Sequence, residues 1–162
     1  MLITLIGCGK MGSAMLQGWL NDTDLDAEFV IIEPFQDALG WTDAHDNVIL
    51  VSDCAAAKAI GKVSQMVILA VKPQMMEEAI ADLSGIADSG TAFLSIAAGI
   101  PTSWFAKRLG ADALILRSMP NTPLPILGGN CGTHCSTFAL RCTQSGYSLS
   151  RFALFATMAV ST

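Results

Sequence analysis

The feature that most constrains the fold of this chain lies at its start. Residues 2–6 are an uncharged run of aliphatic and β-branched side chains, which is typical of a strand buried on both faces of a parallel sheet. The run leads directly into Gly-Cys-Gly-Lys-Met-Gly at positions 7–12, and apolar side chains at helical spacing follow. A strand, a G-x-G-x-x-G turn and a helix in this order form the context of a dinucleotide fingerprint. We therefore predict a βα unit whose turn binds a dinucleotide.

Each glycine of this turn has a predicted role. Gly7 permits a tight turn, Gly9 lets the backbone approach a pyrophosphate, and Gly12 removes a Cβ so that the helix can lie close to the strand. Free N–H groups and the dipole at the helix N-terminus favour the negative charge of the phosphates. A tight βα turn that binds nothing is the alternative. The residues predicted to contact the cofactor here are Ile6, Gly7, Cys8, Gly9, Lys10, Met11 and Gly12.

The chain beyond the turn alternates between strand-like and helix-like segments. Further strands are predicted at residues 28–32, 47–51, 66–71, 91–97 and 113–116. Helices are predicted at residues 55–60, 74–83 and 102–109. This alternation predicts an α/β fold with a doubly wound parallel sheet, that is, a Rossmann-type NAD(P)-binding domain.

Glu33 stands at the end of the second predicted strand, about twenty residues after Gly12. A carboxylate at this point can accept hydrogen bonds from both hydroxyls of the adenosine ribose, and it repels a 2′-phosphate. A solvated acid at a strand end is the alternative. The prediction is a site for NADH or NADPH, with NADH favoured.

Composition limits the partners and the compartment. The net charge of −5 argues against nucleic acid or an anionic membrane surface as the main partner. No apolar run approaches the roughly twenty residues of a membrane span, and the first strand begins where a signal peptide would stand. Five cysteines, an odd number, indicate a reducing cytoplasm. Hydrophobic residues are 52% of the chain, which predicts self-association through apolar surface.

Three more loops follow predicted strands, at the edge of the sheet where ligands bind in α/β folds. Their sequences are Ala-Val-Lys-Pro at 70–73, Ser-Ile-Ala-Ala-Gly at 95–99 and Arg-Ser-Met-Pro-Asn-Thr-Pro at 117–123. Taken singly, each loop has a structural explanation, such as a surface lysine, a turn or loop prolines. Together with the fingerprint, in this order and spacing, they resemble the cofactor domain of pyrroline-5-carboxylate reductase.

The resemblance covers residues 1–127 and implies reduction of 1-pyrroline-5-carboxylate to L-proline with NAD(P)H, a step of proline biosynthesis. It also implies that Asn121 lies near the nicotinamide and the substrate pocket. The cofactor-binding residues that it adds are Ala70, Val71, Lys72, Pro73, Ile96, Ala97, Ala98 and Asn121. No side chain has to act as the general acid, so no catalytic residue is predicted.

Residues 128–162 depart from the family pattern. Family members continue into a helical domain that forms the dimer and completes the pocket, and nothing here corresponds to it. We predict a Rossmann domain at 1–127 and an irregular or helical tail at 128–162 that results from a frameshift or truncation, with a genuine small variant as the alternative. The tail contains Cys131, His134, Cys135 and Cys142, whose spacing fits no well-known zinc finger, so no metal is predicted. Residues 152–160 are apolar but short, which favours a docking helix over a membrane anchor.

Three functions remain open at this point. The first is the reductase of proline biosynthesis, with activity impaired in a short chain. The second is a non-catalytic dinucleotide-binding fragment. The third is a related enzyme, such as a β-hydroxyacid dehydrogenase or another imine reductase, although a dehydrogenase of that kind needs a catalytic lysine on a later helix.

Overall fold

The computed structural model describes residues 1–22, 25–81 and 83–118. They form a six-stranded parallel sheet in the order β3-β2-β1-β4-β5-β6. The strands are β1 (Leu2–Ile6), β2 (Glu28–Ile32), β3 (Val48–Val51), β4 (Met66–Leu69), β5 (Ala92–Ser95) and β6 (Leu114–Arg117). The predicted doubly wound parallel sheet is confirmed, and β1 and β2 have the bounds that the sequence predicts.

The helices connect the strands where the apolar periodicity predicts them. They are α1 (Lys10–Asn21), α2 (Cys54–Ala59), α3 (Met76–Ile80) and α4 (Thr102–Leu109). The connection between β4 and β5 differs in detail, because a 3-10 turn at Pro73–Met75 precedes a shorter α3 than the helix predicted at 74–83. A second 3-10 helix, Gly40–Ala44, lies between β2 and β3 and is not predicted, since its sequence has no clear apolar period.

Both faces of the sheet are covered, which explains why the strands are continuous apolar runs. All five residues of β1 are buried. Its alternate side chains enter two different cores, with Ile3 and Leu5 on the side of α1 and Leu2 and Ile6 on the other side. The first core includes Trp19 of α1, whose ring stacks on Phe29 of β2 with the centroids 6.0 Å apart. Burial of side chains of this size stabilises by about 1.5–3 kcal/mol each, so the two cores hold the sheet that carries the loops.

The order of the strands creates a switch point beside β1. The chain builds β1, β2 and β3 towards one edge and then returns to place β4 on the other side of β1. The main chain ties the loops at this point to the sheet, since the Gly7 N–H donates to the Ile32 carbonyl at 2.9 Å and the Ala70 N–H donates to the Ile6 carbonyl at 2.8 Å. Ligands of open α/β sheets bind in the crevice outside such carboxyl ends.

The domain boundary predicted at residue 127 lies outside the described residues, as do Asn121 and the four cysteine and histidine residues of the predicted tail. The division into a domain at 1–127 and a tail at 128–162 therefore stays a prediction. In the ranges that the structure does describe, no helix has both the length and the hydropathy needed to cross a bilayer.

Candidate dinucleotide site

The turn between β1 and α1 is shaped by two glycines that have no room for a side chain. Gly7 has a φ of +89°, and a Cβ on it would lie 2.8 Å from a methyl carbon of Val71. A Cβ on Gly12 would lie 2.4 Å from the Gly7 carbonyl oxygen. The first turn of α1 therefore packs directly on the backbone of the turn, with the close helix–strand approach that the motif predicts.

Gly9, the middle glycine, faces open space. No atom outside its immediate neighbours lies within 4 Å of the position that its Cβ would take. Gly9 is also the N-cap of α1, and no side chain caps the helix there. The first turn of α1 contains no acid, and its first residue is the exposed Lys10. Bare backbone at a helix N-terminus suits a phosphate, because N–H donors and the helix dipole both favour an anion.

Glu33 is held by two backbone N–H groups. Its Oε2 accepts a hydrogen bond from the Cys8 N–H at 2.8 Å, and its Oε1 accepts one from the Phe35 N–H at 3.0 Å. The carboxylate thus ties the fingerprint turn to the loop after β2. Each carboxylate oxygen has two acceptor sites, so both oxygens keep the capacity to accept a ribose hydroxyl.

A cleft of about 470 Å³ opens at the switch point. The predicted site residues that line it are Ile6, Gly7, Gly9, Glu33, Ala70, Val71 and Lys72. The predicted residues Cys8, Lys10 and Pro73 are next to lining residues in sequence, and Met11 and Gly12 follow in the first turn of α1, but none of the five lines the cleft. Residues of the fingerprint and of the loop that follows β4 thus line the same cleft, so one ligand could contact both.

Residues 96–98 lie at the same edge of the sheet, after β5, but they do not line this cleft. Their loop is held by the end of β6, because Nη2 of Arg117 donates to the Ala97 carbonyl at 3.1 Å. Within the loop, the Ala97 N–H donates to Oγ of Ser95 at 3.3 Å. The loop is therefore fixed two strands away from the fingerprint.

Sequence reasoning missed nine further residues that line the cleft. They are Ile32, Pro34, Phe35, Ser52, Asp53, Cys54, Met75, Glu78 and Ala79. Asp53 had a detectable signal, because an acid before an alanine-rich segment is a helix N-cap pattern. Its position in the cleft had no such signal, since it depends on β3 lying next to β2.

The cleft is acidic on balance. Its lining includes the carboxyl groups of Glu33, Asp53 and Glu78 against the single amine of Lys72. Hydrogen bonds from the Ala56 N–H and from the Ser52 hydroxyl hold the pKa of Asp53 below its ordinary value. Asp53 is therefore an anion at neutral pH. Near Asp53 the cleft favours hydroxyl and amino groups of a ligand over a further anion.

Cys8 is not a nucleophile in this site. Burial raises the pKa of its thiol; a hydrogen bond with Ser13 opposes that rise, and the charge of Glu33 adds to it. The thiol therefore stays protonated at neutral pH, and only the thiolate form attacks or ligates metal. Across the described parts of the chain, no group of three or more His, Cys, Asp or Glu side chains is arranged to hold a metal ion.

This chain is similar to known NADP-dependent oxidoreductases. The family described as NADP oxidoreductase, coenzyme F420-dependent, matches residues 2–99. The pyrroline-5-carboxylate reductase of Escherichia coli is 30% identical over 128 residues, which are 78% of this chain and 46% of that protein. That of Haemophilus influenzae is 32% identical over 146 residues, which are 90% of this chain and 51% of that protein. The second alignment is longer than the 127 residues predicted for the first domain.

A solved structure shows the same fold. The pyrroline-5-carboxylate reductase of Coxiella burnetii matches with a TM-score of 0.75 at 23% identity, over 98% of this chain and 55% of that chain. This chain thus spans about half the length of the relatives that it matches.

The resemblance inferred from the sequence motifs is confirmed, and so is the prediction of an oxidoreductase class that uses a nicotinamide cofactor. The chain belongs to the family of coenzyme F420-dependent NADP oxidoreductases, and the two curated relatives compared above are pyrroline-5-carboxylate reductases.

Proposed function

We propose that the cleft at the switch point binds a nicotinamide dinucleotide. The observation that carries this proposal is Gly9, whose missing Cβ leaves open space at the bare N-terminus of α1 on the wall of the cleft. A pyrophosphate fits there, because it needs close contact with backbone N–H groups and no side chain in between. Glu33 then takes the adenosine ribose through its free acceptor sites.

The remaining predicted residues continue this site along the edge of the sheet. Residues 70–73 border the fingerprint, and residues 96–98, held by Arg117, provide the far contact. When bound, a reduced nicotinamide supplies a hydride to an electrophilic carbon. The chain's own residues fix the position of the ring and exclude water on one side of it. The family resemblance implies a role near the ring and the substrate for Asn121, which is outside the described residues.

We further propose that the reaction is reduction of 1-pyrroline-5-carboxylate to L-proline, in cytoplasmic proline biosynthesis. The support is the identity of the curated relatives, which are pyrroline-5-carboxylate reductases at 30% and 32% identity. Self-association through apolar surface is part of the proposal. A non-catalytic dinucleotide-binding unit is the second candidate, and the observation in its favour is that the chain spans 46% of the Escherichia coli relative.

The choice between NADH and NADPH rests on Glu33. The family description names NADP, whereas a carboxylate held at the end of β2 disfavours a 2′-phosphate. The acidic lining that Asp53 and Glu78 add works in the same direction. We infer that this chain prefers NADH.

The test of dinucleotide binding is replacement of Gly9 by valine, followed by calorimetric titration with NADH. The branched side chain would fill the space proposed for the pyrophosphate, so the affinity should fall by about a hundredfold or more, on the scale of a blocked anion contact. Gly40→Val is the matched control, because Gly40 also has no atom within 4 Å of its Cβ position but lies outside the cleft. Equal NADH affinity in the Gly9→Val and Gly40→Val proteins would refute the assignment.

A further inference from the structure

One part of the sheet is buried on the side of α1, at the edge formed by β5 and β6. Ala92 and Leu94 of β5 lie in register beside Leu114 and Leu116 of β6, and all four residues belong to the first core. They are 5%, 2%, 6% and 4% exposed in that order. We call these four residues the β5–β6 patch. The structure contains a single chain, so the cover of the patch comes from this chain.

The helices that follow β4 and β5 lie on the other side of the sheet. β4, β5 and β6 succeed one another away from β1, whereas β2 and β3 lie in the opposite direction. Because crossovers between parallel strands are right-handed, the two directions place their helices on opposite faces. Met76 of α3 and Phe105 of α4 accordingly belong to the second core. Among the described residues after 70, the first core has no members besides the β5–β6 patch.

α1 covers the other half of the first face. A Cβ on Gly12 in its first turn would lie 3.7 Å from that of Ala70, which follows β4, and Trp19 near its end stacks on Phe29 of β2. The helix thus runs from beside β4 towards β2, away from β5. A helix is about 10 Å wide and neighbouring strands are about 4.8 Å apart, so one helix covers about two strands. The β5–β6 patch therefore needs a further element.

The sequence outside the described residues offers a segment suited to this position. Residues 152–160 read Phe-Ala-Leu-Phe-Ala-Thr-Met-Ala-Val and contain no charge, glycine or proline. In a helix, Phe152, Phe155 and Ala159 would lie on one face, because their spacing is i, i+3 and i+7. A helix of this length is about 14 Å long, close to the roughly 13 Å of the four-residue strands β5 and β6. The segment therefore matches the β5–β6 patch in polarity and in length.

We propose that residues 152–160 pack as a helix on the β5–β6 patch. The fold match with the Coxiella burnetii structure supports this, because it covers 98% of this chain and so extends well past the described residues. Under this proposal the segment after residue 127 is part of the fold of the domain, and the predicted boundary no longer separates a domain from a tail. Burial of the two phenylalanine rings then stabilises the sheet that carries the loops of the cleft.

The direct test is nuclear magnetic resonance of the full chain with labelled leucine methyl groups and phenylalanine rings. Nuclear Overhauser effects should connect the methyl protons of Leu94 or Leu116 with the ring protons of Phe152 or Phe155. The ring of Phe35 is the internal control, because it is 81% exposed in the loop after β2 and should show no effect to the same methyl groups.

Stability of full-length variants gives a second readout. Phe155→Ala should lower the unfolding temperature by about 5 °C or more, the scale expected for loss of a buried aromatic side chain. Phe35→Ala is the matched control, because it removes the same side chain from an exposed position and should leave the temperature unchanged. Phe155→Leu keeps an apolar side chain and should retain most of the unfolding temperature. In Phe155→Leu only the ring signals of residue 155 should vanish, and those of Phe152 should keep their contacts.

Three results would overturn the proposal. The first is contact of the Leu94 and Leu116 methyl groups with a segment other than residues 152–160. The second is a set of Overhauser effects that appear only between molecules when two differently labelled samples are mixed, which would assign the cover to a second copy. The third is an equal unfolding temperature for Phe155→Ala and Phe35→Ala. None of these results bears on dinucleotide binding, which Gly9→Val tests separately.

Discussion

Gly9 and Gly12 show how one motif combines two physical requirements. A Cβ on Gly9 would meet open space, whereas a Cβ on Gly12 would lie 2.4 Å from a backbone oxygen. The motif letters predict both glycines equally well from the sequence. Only the coordinates separate the glycine that leaves room for a ligand from the glycine that leaves room for the fold.

Replacement of Gly12 by alanine should therefore destabilise the protein. The added methyl group meets the carbonyl oxygen of Gly7, which is backbone and cannot rotate away. Overpacking of this kind costs about 1–3 kcal/mol, and we expect the free energy of unfolding in urea to fall by that amount. Gly40→Ala is the control and should leave it nearly unchanged. Equal stability of the two variants would mean that α1 can move away from the turn at no cost.

We expect Glu33 to determine the preference of the protein for NADH over NADPH. The unmodified protein should bind NADH more tightly than NADPH, because two charges about 4 Å apart repel by roughly 1–4 kcal/mol near a protein surface. Glu33→Gln removes the charge and keeps the size, so the preference should shrink. NADH itself should bind somewhat more weakly, because the amide NH₂ would oppose one of the two N–H groups that Glu33 now accepts.

Calorimetric titration of both coenzymes into both proteins measures this effect. Tighter binding of NADPH by the unmodified protein would show that Glu33 serves only to tie the fingerprint turn to the loop after β2. The sequence predicted the carboxylate by its distance from Gly12. It gave no sign of the contact with the Cys8 N–H, which depends on β1 and β2 being neighbours.

At the scale of single elements, the sequence predicted β1, β2 and α4 with the bounds that the structure has, whereas the other elements with predicted bounds differ at one or both ends. The buried runs of β1 and β2 begin and end at the predicted residues because their borders are marked by Gly7 and Glu33. β4 ends at Leu69 instead of Val71, since the Ala70 N–H makes the last hydrogen bond to β1 and the chain then leaves the sheet. The apolar pattern does not mark that exit, because Ala70 and Val71 are as apolar as the strand.

α2 provides a prediction at this scale. It begins after Asp53, whose Oδ1 accepts the Ala56 N–H at 2.8 Å. Because the pKa of Asp53 is lowered in the folded state, the cap contributes stability above the ordinary pKa of 3.8 and loses it as the pH falls through the lower folded value. Asp53→Ala should lower the unfolding temperature at neutral pH, and the difference from the unmodified protein should shrink in strong acid.

Asp53→Asn is the matched variant, because asparagine also caps helices and does not titrate. It should retain most of the unfolding temperature at neutral pH. The unfolding temperatures of Asp53→Ala and the unmodified protein could differ by the same amount at neutral and at acid pH. That result would contradict the assignment of the pH dependence to the Asp53 carboxylate.

At the scale of the whole molecule, the parallel sheet decides which residues meet. Gly7 and Gly9 of the fingerprint, Glu33 and residues 70–72 are far apart in sequence but follow neighbouring strands at their carboxyl ends, and they line one cleft. The alternation of strands and helices predicts parallel strands, whose connections are almost always right-handed. It therefore predicts that the loops after the strands lie at one edge of the sheet. The other residues that line the cleft, such as Ser52 and Asp53, were not predictable, because strand order is not encoded in any single motif.

The last prediction concerns catalysis by residues 1–162 expressed alone. The described residues form the cleft that we propose for the cofactor, and the chain spans 46% of the Escherichia coli reductase. We expect cofactor binding with turnover far below that of the Escherichia coli enzyme. Good orientation of the reactants lowers the activation barrier by about 7–11 kcal/mol. A substrate that is held from one side only should therefore react several orders of magnitude more slowly.

The measurement is steady-state oxidation of NADH in the presence of 1-pyrroline-5-carboxylate, with the Escherichia coli enzyme as the positive control and the Gly9→Val protein as the negative control. Sedimentation of the same samples tests the proposed self-association. Weak turnover that Gly9→Val abolishes would assign the residual activity to the cleft at the switch point. Turnover within about tenfold of the positive control, equivalent to 1.4 kcal/mol, would contradict the prediction. Such a result would mean that residues 1–162 hold the substrate as well as the coenzyme, and the non-catalytic alternative would then be excluded.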